Sequence, residues 1–378
     1  MKKFTVKIDQ SALDDLNERL NRTRWPDEPA HMDWNMGTST SYLKELVAYW
    51  KNHYDWRKHE AEINKFPQFM TSIDGHNIHF IHVKGKNKSA KPLLLLHGWP
   101  DSFYRFHKII SLLTEPEKHG GNADSAYDVV IPSFPGYGFS SHDTVSSSKA
   151  AELIVELMTK ELGYDAYMVA GGDMGTRIAK AMAIAHPEAM LALHLTDADY
   201  PTGQENPETM TKNEQEFAKY IQGWWMMNGI YAMMHSTKPQ TLAPALNDSP
   251  VGLASWMISF IDIGAKDHDV EGAVGGRDEL LTLIMINWLT QNSGPAIRMY
   301  ALDAFEKYQK PGGPSPEPKS KVPAALAIFP REAPTPEDWG KRSLNLQSFT
   351  KMEKGGHFAA LELPEEYTKE LRKFFADY

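Results

Sequence analysis

YMVAGGDMGTRIAKAMAIAHP, residues 167–187, joins a short apolar run to an alanine-rich helical pattern through a turn of small residues. The apolar run predicts a buried strand, and the pattern from Met174 onward predicts a helix. Asp173 lies in the turn between them, flanked by Gly172 and Gly175. Many hydrolases place a nucleophilic serine at such a strand-to-helix turn, but here the residue is an aspartate. An aspartate directly before a helix is also a common N-cap, so the turn alone leaves a catalytic and a structural interpretation open.

Short apolar segments alternate with helical patterns on both sides of this turn. The segments are PLLLLHGWP, YDVVIPSF, AYMVAGG, MLALHLT, PAALAIFP and LNLQSFTKM. Fully apolar short strands that alternate with helices are typical of a parallel sheet with helices on both faces. Before them, QFMTSI and NIHFIHV predict a hairpin that turns at Asp74-Gly75. We therefore predict an α/β fold with a mostly parallel sheet.

Four regions follow from this pattern. Residues 1–68 are aromatic-rich and mostly helical, and residues 69–198 hold the first part of the α/β core. From residue 199 to residue 310 the alternation stops and helical patterns rich in Trp, Met and Tyr take its place. Residues 311–378 restore two strands and end in an amphipathic helix. The simplest organisation is an α/β core interrupted by a helical cap, residues 199–310.

Composition and charge exclude several classes of protein. The 378-residue chain is 42% hydrophobic and 24% charged, which is typical of a globular protein with a sizeable core. Its net charge of −9 and the lack of a long basic run argue against a nucleic-acid partner. The chain has no cysteine, which excludes disulfides and thiol nucleophiles. Because no signal peptide and no run of 18 apolar residues occur, we expect a soluble, cytoplasmic protein without a membrane span.

Neither a cofactor nor a metal is expected. No glycine-rich fingerprint follows the first strand of the core, which argues against a nicotinamide cofactor. No HExxH or comparable cluster of metal ligands occurs. Whatever chemistry the chain performs is therefore expected to come from its own side chains.

Reactive side chains follow three of the predicted strands. Ligands of open parallel sheets bind at the carboxyl ends of the strands, so residues that follow a strand are candidates for the site. Asp173 follows one strand, Glu332 follows PAALAIFP, and His357 follows the last strand. This order of acid nucleophile, acid and histidine matches the α/β-hydrolase layout. On position alone the second acid stays open. Four other carboxylates lie in comparable loops: Asp197, Asp199, Glu337 and Asp338.

The loop His97-Gly98-Trp99-Pro100 follows the strand of four leucines. We expect His97 to fix this loop by hydrogen bonds, and Pro100 to keep the turn rigid so that the Trp99 N–H points into the site. The Met174 N–H, at the start of a helix, is the expected second donor of an oxyanion hole. The alternative is an ordinary tight loop without a ligand.

Six segments resemble motifs of the epoxide hydrolases of the α/β-hydrolase fold, most closely those of the microsomal-type branch. They are FTVKIDQSALDDLNERLNRTRWPDEP, LLLLHGWPDSFYRF, IPSFPGYGFS, GGDMG, STKPQTLAPALNDSPVGLASW and KGGHFAALELP, and the resemblance covers nearly the whole chain. The first segment is similar to the N-terminal region that wraps the catalytic domain in that branch. The resemblance implies that residues 1–68 wrap the α/β core.

The resemblance also implies a role for each of five side chains. Asp173 matches the nucleophile, His357 the base, and Glu332 the acid that partners the histidine. Tyr231, shortly before the STKP segment, and Tyr300, in RMYALDAF, match the two cap tyrosines that donate to the epoxide oxygen. The implied reaction is hydrolysis of a small apolar epoxide by water to a vicinal diol, through an ester on the aspartate.

Met174 departs from the resemblance, because members of the branch often carry Trp at this position. Since Met is flexible, we expect Met174 to shape substrate choice, together with Trp99, Trp224 and Trp225 as candidate substrate-binding residues. Two alternatives remain, a haloalkane dehalogenase and a non-catalytic small-ligand binding protein on the same fold. A Met side chain cannot donate a hydrogen bond to a halide, whereas the two cap tyrosines can donate to an epoxide oxygen.

Overall fold

The computed structural model describes residues 1–29, 31–87, 89–308 and 318–378. Within these ranges nine strands form one sheet. The strands are β1 Lys2–Phe4, β2 Gln68–Ile73, β3 His76–Val83, β4 Lys91–Leu96, β5 Tyr127–Pro132, β6 Tyr167–Gly171, β7 Met190–Leu195, β8 Pro323–Ile328 and β9 Asn345–Lys351.

Fifteen α-helices occur in the same ranges. They are α1 Gln10–Asn21, α2 Thr40–Asn52, α3 Trp56–Ile63, α4 Ile110–Thr114, α5 Ser147–Glu156, α6 Met174–Ala185, α7 Lys212–Asn228, α8 Ile230–Thr237, α9 Pro239–Asp248, α10 Pro250–Ile263, α11 Arg277–Thr290, α12 Ser293–Tyr308, α13 Glu337–Ser343, α14 Ala359–Glu362 and α15 Pro364–Phe375. None of the helices in the described part of the chain has both the length and the apolar character needed to cross a bilayer.

The sheet is antiparallel at one end and parallel over the rest. Its strand order is β1-β2-β3-β5-β4-β6-β7-β8-β9. The pairs among β1, β2, β3 and β5 are antiparallel, and all pairs from β5 through β9 are parallel. The hairpin of β2 and β3 turns at Asp74-Gly75 as predicted. The predicted α/β fold with a mostly parallel sheet is confirmed, and it has the α/β-hydrolase arrangement.

The centre of the sheet brings two loops together. β4 lies between β5 and β6, so the chain leaves β4 toward one side and returns on the other, which opens a crevice at the carboxyl end of β4. Leu96, at the end of β4, pairs with Gly171, at the end of β6. Because these ends are in register, the loop that begins at His97 lies beside the turn that holds Asp173.

Between β7 and β8 the described residues form six α-helices, α7–α12. Among them α12 packs against both α8 and α9. Tyr231 lies on α8 and Tyr300 on α12, so this packing brings the two tyrosines to the same side of the core. The predicted boundary between the cap and the second part of the core, 310/311, lies outside the described residues.

Candidate active site

Asp173 occupies the turn between β6 and α6 in an uncommon backbone conformation. Its φ is 59°, in the left-handed region that residues other than glycine rarely adopt. Its backbone N–H donates to Asp197 Oδ2 at 2.7 Å, and its own carboxylate accepts from the Met174 N–H at 2.6 Å. The surrounding hydrogen bonds therefore hold a strained residue in place, which is typical of functional turns.

Two glycines let other backbone segments approach this turn closely. A β-carbon on Gly175 would collide with the carbonyl oxygen of Leu96 in β4. A β-carbon on Gly98 would collide with the Asp173 carboxylate itself. Hence the carboxylate lies directly against the backbone of the His97–Pro100 loop.

Three predicted side chains lie in a row, with His357 between Asp173 and Glu332. His357 follows β9, and its Nε2 lies 3.4 Å from Asp173 Oδ2. The other ring nitrogen, Nδ1, lies 2.6 Å from Glu332 Oε1, in the loop after β8. A histidine held between two carboxylates can take a proton on one nitrogen while the other nitrogen is oriented.

The four other candidate acids have different partners. Asp197 accepts the Asp173 N–H, and Asp199 pairs with Lys180. The remaining pair lies nearer the surface: Asp338 accepts from the Thr211 hydroxyl, and Glu337 pairs with Lys341. Among the five carboxylates, the structure therefore places Glu332 on His357 Nδ1.

Charges in the site favour an ion pair at rest. Burial acts to raise the pKa of Asp173, but hydrogen bonding to His357 and the nearby N–H groups outweigh it and hold that pKa below its usual range. Burial acts to lower the pKa of His357, but the Glu332 charge and hydrogen bonds with Asp173 and Glu332 raise it to about 10. At neutral pH Asp173 is therefore ionised and His357 is protonated.

Two backbone N–H groups point at one oxygen of the nucleophile candidate. The Trp99 N–H donates to Asp173 Oδ1 at 3.1 Å, and the Met174 N–H donates to the same atom at 2.6 Å. Buried His97 has its Nδ1 3.1 Å from the Gly98 carbonyl oxygen, as expected of a residue that fixes its own loop. Two convergent donors on one carboxylate oxygen have the geometry of an oxyanion hole.

A cavity of about 1980 Å³ opens onto these groups. All the side chains predicted to act or to bind substrate line it: Trp99, Asp173, Met174, Trp224, Trp225, Tyr231, Tyr300, Glu332 and His357. Within the described residues, no group of three or more potential ligands could hold a metal ion. The predicted nucleophile, base, partner acid and two tyrosines therefore all border one cavity that a bound molecule could enter.

Both phenols carry their protons at neutral pH. Burial raises the pKa of Tyr231 and of Tyr300, and the negative charge of Asp173 raises both further. A protonated tyrosine can donate a hydrogen bond to an oxygen atom in the cavity.

His235 packs behind the two tyrosines, a contact that the sequence analysis missed. Its ring centroid is 5.1 Å from that of Tyr300 and 4.9 Å from that of Trp99. Its Nε2 accepts from Trp256 Nε1 at 3.1 Å, and burial lowers the pKa of His235 to about 3. It therefore acts as a neutral packing residue. Its spacing of four from Tyr231 on one helix was the available signal.

Arg177 and Asp303 form a second missed contact. The Arg177 guanidinium lies 3.3 Å from Asp303, which also accepts from the Ser147 N–H at 2.7 Å and the Ser147 hydroxyl at 2.6 Å. Arg177 comes four residues after Asp173, and Asp303 comes three residues after Tyr300. This contact joins the helix of the nucleophile candidate to the helix of one tyrosine.

Comparison with known proteins agrees with the fold. The family described as "Epoxide hydrolase N terminus" matches residues 1–106, and the alpha/beta hydrolase fold family matches residues 91–231. A Stigmatella aurantiaca relative named as an epoxide hydrolase is 37% identical over 98% of this chain and 84% of its own. Epoxide hydrolase 1 of Sus scrofa is 35% identical over 98% of this chain and 87% of its own. The Aspergillus niger epoxide hydrolase structure superposes with a TM-score of 0.81 at 28% identity, covering 100% of this chain and 96% of that chain.

The fold and the extent of these matches define a hydrolase of the α/β-hydrolase fold. The chain belongs to the epoxide hydrolase family, and its activity is the hydrolysis of epoxides. This assignment favours the enzyme over both alternatives, the haloalkane dehalogenase and the non-catalytic binding protein.

Proposed function

We propose that the chain converts a small apolar epoxide to a vicinal diol through a covalent ester on Asp173. One observation carries this proposal. The Asp173 carboxylate lies between His357 Nε2 on one oxygen and the Trp99 and Met174 N–H groups on the other. Such an arrangement suits a nucleophile whose ester must later be attacked by water.

Ring opening is the first step. Asp173 Oδ2, the oxygen not held by the two N–H groups, attacks an epoxide carbon, and the ring C–O bond breaks. Tyr231 and Tyr300 donate hydrogen bonds to the ring oxygen, and one of them supplies a proton. Without these donors the leaving group would be a bare alkoxide, which is strongly basic.

Ester formation then prepares the base. It consumes the Asp173 carboxylate, whose hydrogen bond is one of the causes that raise the pKa of His357. The pKa of His357 therefore falls. His357 loses its proton, and the tyrosine that protonated the ring oxygen is protonated again. The neutral imidazole that results can act as a general base.

Ester hydrolysis is the second step. His357, oriented by Glu332, takes a proton from water, and the hydroxide attacks the carbonyl carbon of the ester. The Trp99 and Met174 N–H groups stabilise the oxyanion on Oδ1. The bond between the ester carbon and Oδ2 then breaks, and the proton of the added hydroxyl passes to Oδ2. The diol leaves with that oxygen, and the Asp173 carboxylate and the protonated His357 are restored.

An aspartate suits this reaction better than a serine. Serine attack on an epoxide would leave an ether, which water cannot readily cleave, whereas aspartate leaves an ester that activated water can hydrolyse. The turn at Asp173 thus keeps the placement of a serine nucleophile and changes the bond that is formed.

The trapping variant His357→Gln tests this mechanism with styrene oxide as the probe. We expect its intact mass to rise by one molecule of epoxide, with turnover slowed about 100-fold or more because the base is gone. Asp173→Ala should show no adduct, and His119→Gln, a change at the surface, should turn over normally. Wild-type turnover by His357→Gln would contradict the assigned base.

A further inference from the structure

We propose that Asp101 and Arg105 are positioning residues for ester hydrolysis, because this one buried ion pair holds both the oxyanion loop and the main chain of His357. The inference rests on the proposed function, since it assumes that an Asp173 ester forms and that His357 hydrolyses it. It adds two residues that contact neither the substrate nor the reacting atoms.

Asp101 holds the loop that carries the oxyanion donor. Its Oδ1 accepts from the Gly98 N–H at 2.7 Å, inside the loop that follows β4. The next residue is Trp99, whose N–H lies 3.1 Å from Asp173 Oδ1. A carboxylate that holds one peptide N–H of a tight loop also restricts the direction of the neighbouring N–H.

Arg105 holds the main chain of the base. One terminal nitrogen of its guanidinium pairs with Asp101 Oδ2, and the other donates to the carbonyl oxygen of His357. The guanidinium also lies 5.5 Å from the ring centroid of Phe358. Arginine suits this task because its planar fork donates in two fixed directions at once, which lysine cannot reproduce.

The pair is almost completely removed from solvent. Asp101 is 1% exposed and Arg105 is 3% exposed. Among the residues that the structure describes, neither lines the cavity. A buried ion pair is on average no more stabilising than a well-packed apolar pair. What this pair supplies specifically is a link between the oxyanion loop and the main chain of His357, which lies 252 residues after Arg105 in the chain.

Both groups act in the same chemical step. The Trp99 N–H stabilises the oxyanion formed when water attacks the ester, and His357 activates that water. Ring opening depends instead on Asp173 Oδ2 and on the two cap tyrosines. Disturbing the Asp101–Arg105 pair is therefore expected to slow ester hydrolysis much more than ester formation.

Single-turnover kinetics with styrene oxide separate the two rate constants. In Arg105→Met we expect hydrolysis of the ester to slow by about 10- to 100-fold, as a small displacement of catalytic groups does, with ester formation slowed less than about threefold. The double variant Asp101→Asn/Arg105→Met removes both charges, so it tests the same point without an unpaired buried carboxylate. Arg105→Lys should recover part of the rate, because an ammonium keeps the pair with Asp101.

Arg277→Met is the matched control, because Arg277 forms a partly buried pair with Glu271 outside the cavity lining. It should change neither rate constant. Equal slowing of both steps in the Arg105 variants, or hydrolysis at the wild-type rate in folded protein, would overturn this inference and leave the proposed function intact. If wild-type enzyme and His357→Gln form no ester at all, the proposed function fails and the inference fails with it.

Discussion

Asp173 and His357 change their charges together during the proposed cycle. At rest the aspartate is ionised and the histidine is protonated, because each raises the stability of the charged form of the other. Ester formation consumes the negative charge and leaves the histidine free to lose its proton. The site therefore needs no permanently neutral histidine, since the first step produces the base that the second step uses.

The raised pKa of His357 predicts a pH-dependent stability. The pKa is about 10 in the folded protein and 6.5 without its partners, so the protonated form favours folding. This contribution is fully present below pH 6.5 and is lost as the pH rises through 10. The free energy of unfolding of wild type minus that of His357→Gln, measured by denaturant titration, should therefore shrink from pH 6.5 to pH 10. A constant difference would contradict the assigned ion pair.

The two cap tyrosines should affect ring opening and leave ester hydrolysis unchanged. Tyr231→Phe and Tyr300→Phe each remove one hydrogen-bond donor to the developing alkoxide, which should slow ester formation about 100-fold. Rapid quenching of a single turnover measures this rate. Tyr164→Phe, a change at a tyrosine that bonds Asp128 outside the cavity lining, is the control. Ester formation at the wild-type rate in both variants would remove the tyrosines from the mechanism.

At the scale of elements, α12 is attached to the core close to Tyr300, which lies on this helix. Asp303 on α12 accepts two hydrogen bonds from Ser147 at the start of α5 and pairs with Arg177 on α6. Asp303→Asn weakens these contacts, so ester formation should slow about tenfold while ester hydrolysis stays unchanged, because the placement of Tyr300 loosens. Single-turnover rates measure both steps. Asp262→Asn, whose partner is the exposed His268, should change neither.

The close packing of α6 against β4 makes a prediction about stability. In Gly175→Ala the added methyl group meets the Leu96 carbonyl oxygen, so unfolding should become easier by about 1–3 kcal/mol. Gly223→Ala lies inside α7 with open space around it, so it should stabilise by about 0.5–1 kcal/mol instead. Denaturant unfolding measures both. A neutral Gly175→Ala would contradict the close approach of these backbones.

At the scale of the whole molecule, three tyrosines of residues 1–68 are hydrogen-bonded to residues of the predicted cap. The hydroxyls of Tyr42, Tyr49 and Tyr54 contact Glu271, Asp278 and Thr282 respectively, all at 2.9–3.0 Å. Residues 1–68 thus contact the region before and within α11. The N-terminal segment is therefore hydrogen-bonded to residues 271–282, which belong to the predicted cap.

Replacing all three tyrosines by Phe should therefore lower the free energy of unfolding by about 1–3 kcal/mol, since three partly buried hydrogen bonds are lost. Denaturant titration measures the change. Tyr378→Phe, at a tyrosine whose ring packs against Phe374, is the control. A triple variant as stable as wild type would show that these contacts do not hold the segment.

The sheet and the positions of the reactive groups could be predicted because their signals are local. The four leucines of β4, the glycines around Asp173 and the glycines before His357 mark strand ends within a few residues. Their order along the chain then indicates one site, since parallel strands end at the same edge. Glu332 could not be separated from Asp197 by position, because both lie just beyond a strand end.

The contacts between distant segments could not be predicted. Arg105 meets the His357 carbonyl oxygen across 252 residues, and Tyr42 meets Glu271 across 229. Neither contact follows a periodic pattern, because each depends on how loops and helices from distant parts of the chain pack together. The proximity of Asp303 to Tyr300 could have been predicted, since a spacing of three residues puts both on one face of a helix.

In the proposed mechanism, the oxygen added to the epoxide comes from Asp173. A single turnover with enzyme in excess over styrene oxide, run in water enriched in ¹⁸O, tests it directly. We expect the diol to carry no label and the peptide containing Asp173 to gain one ¹⁸O atom in its carboxylate. A labelled diol together with an unlabelled Asp173 would mean direct attack by water without an Asp173 ester.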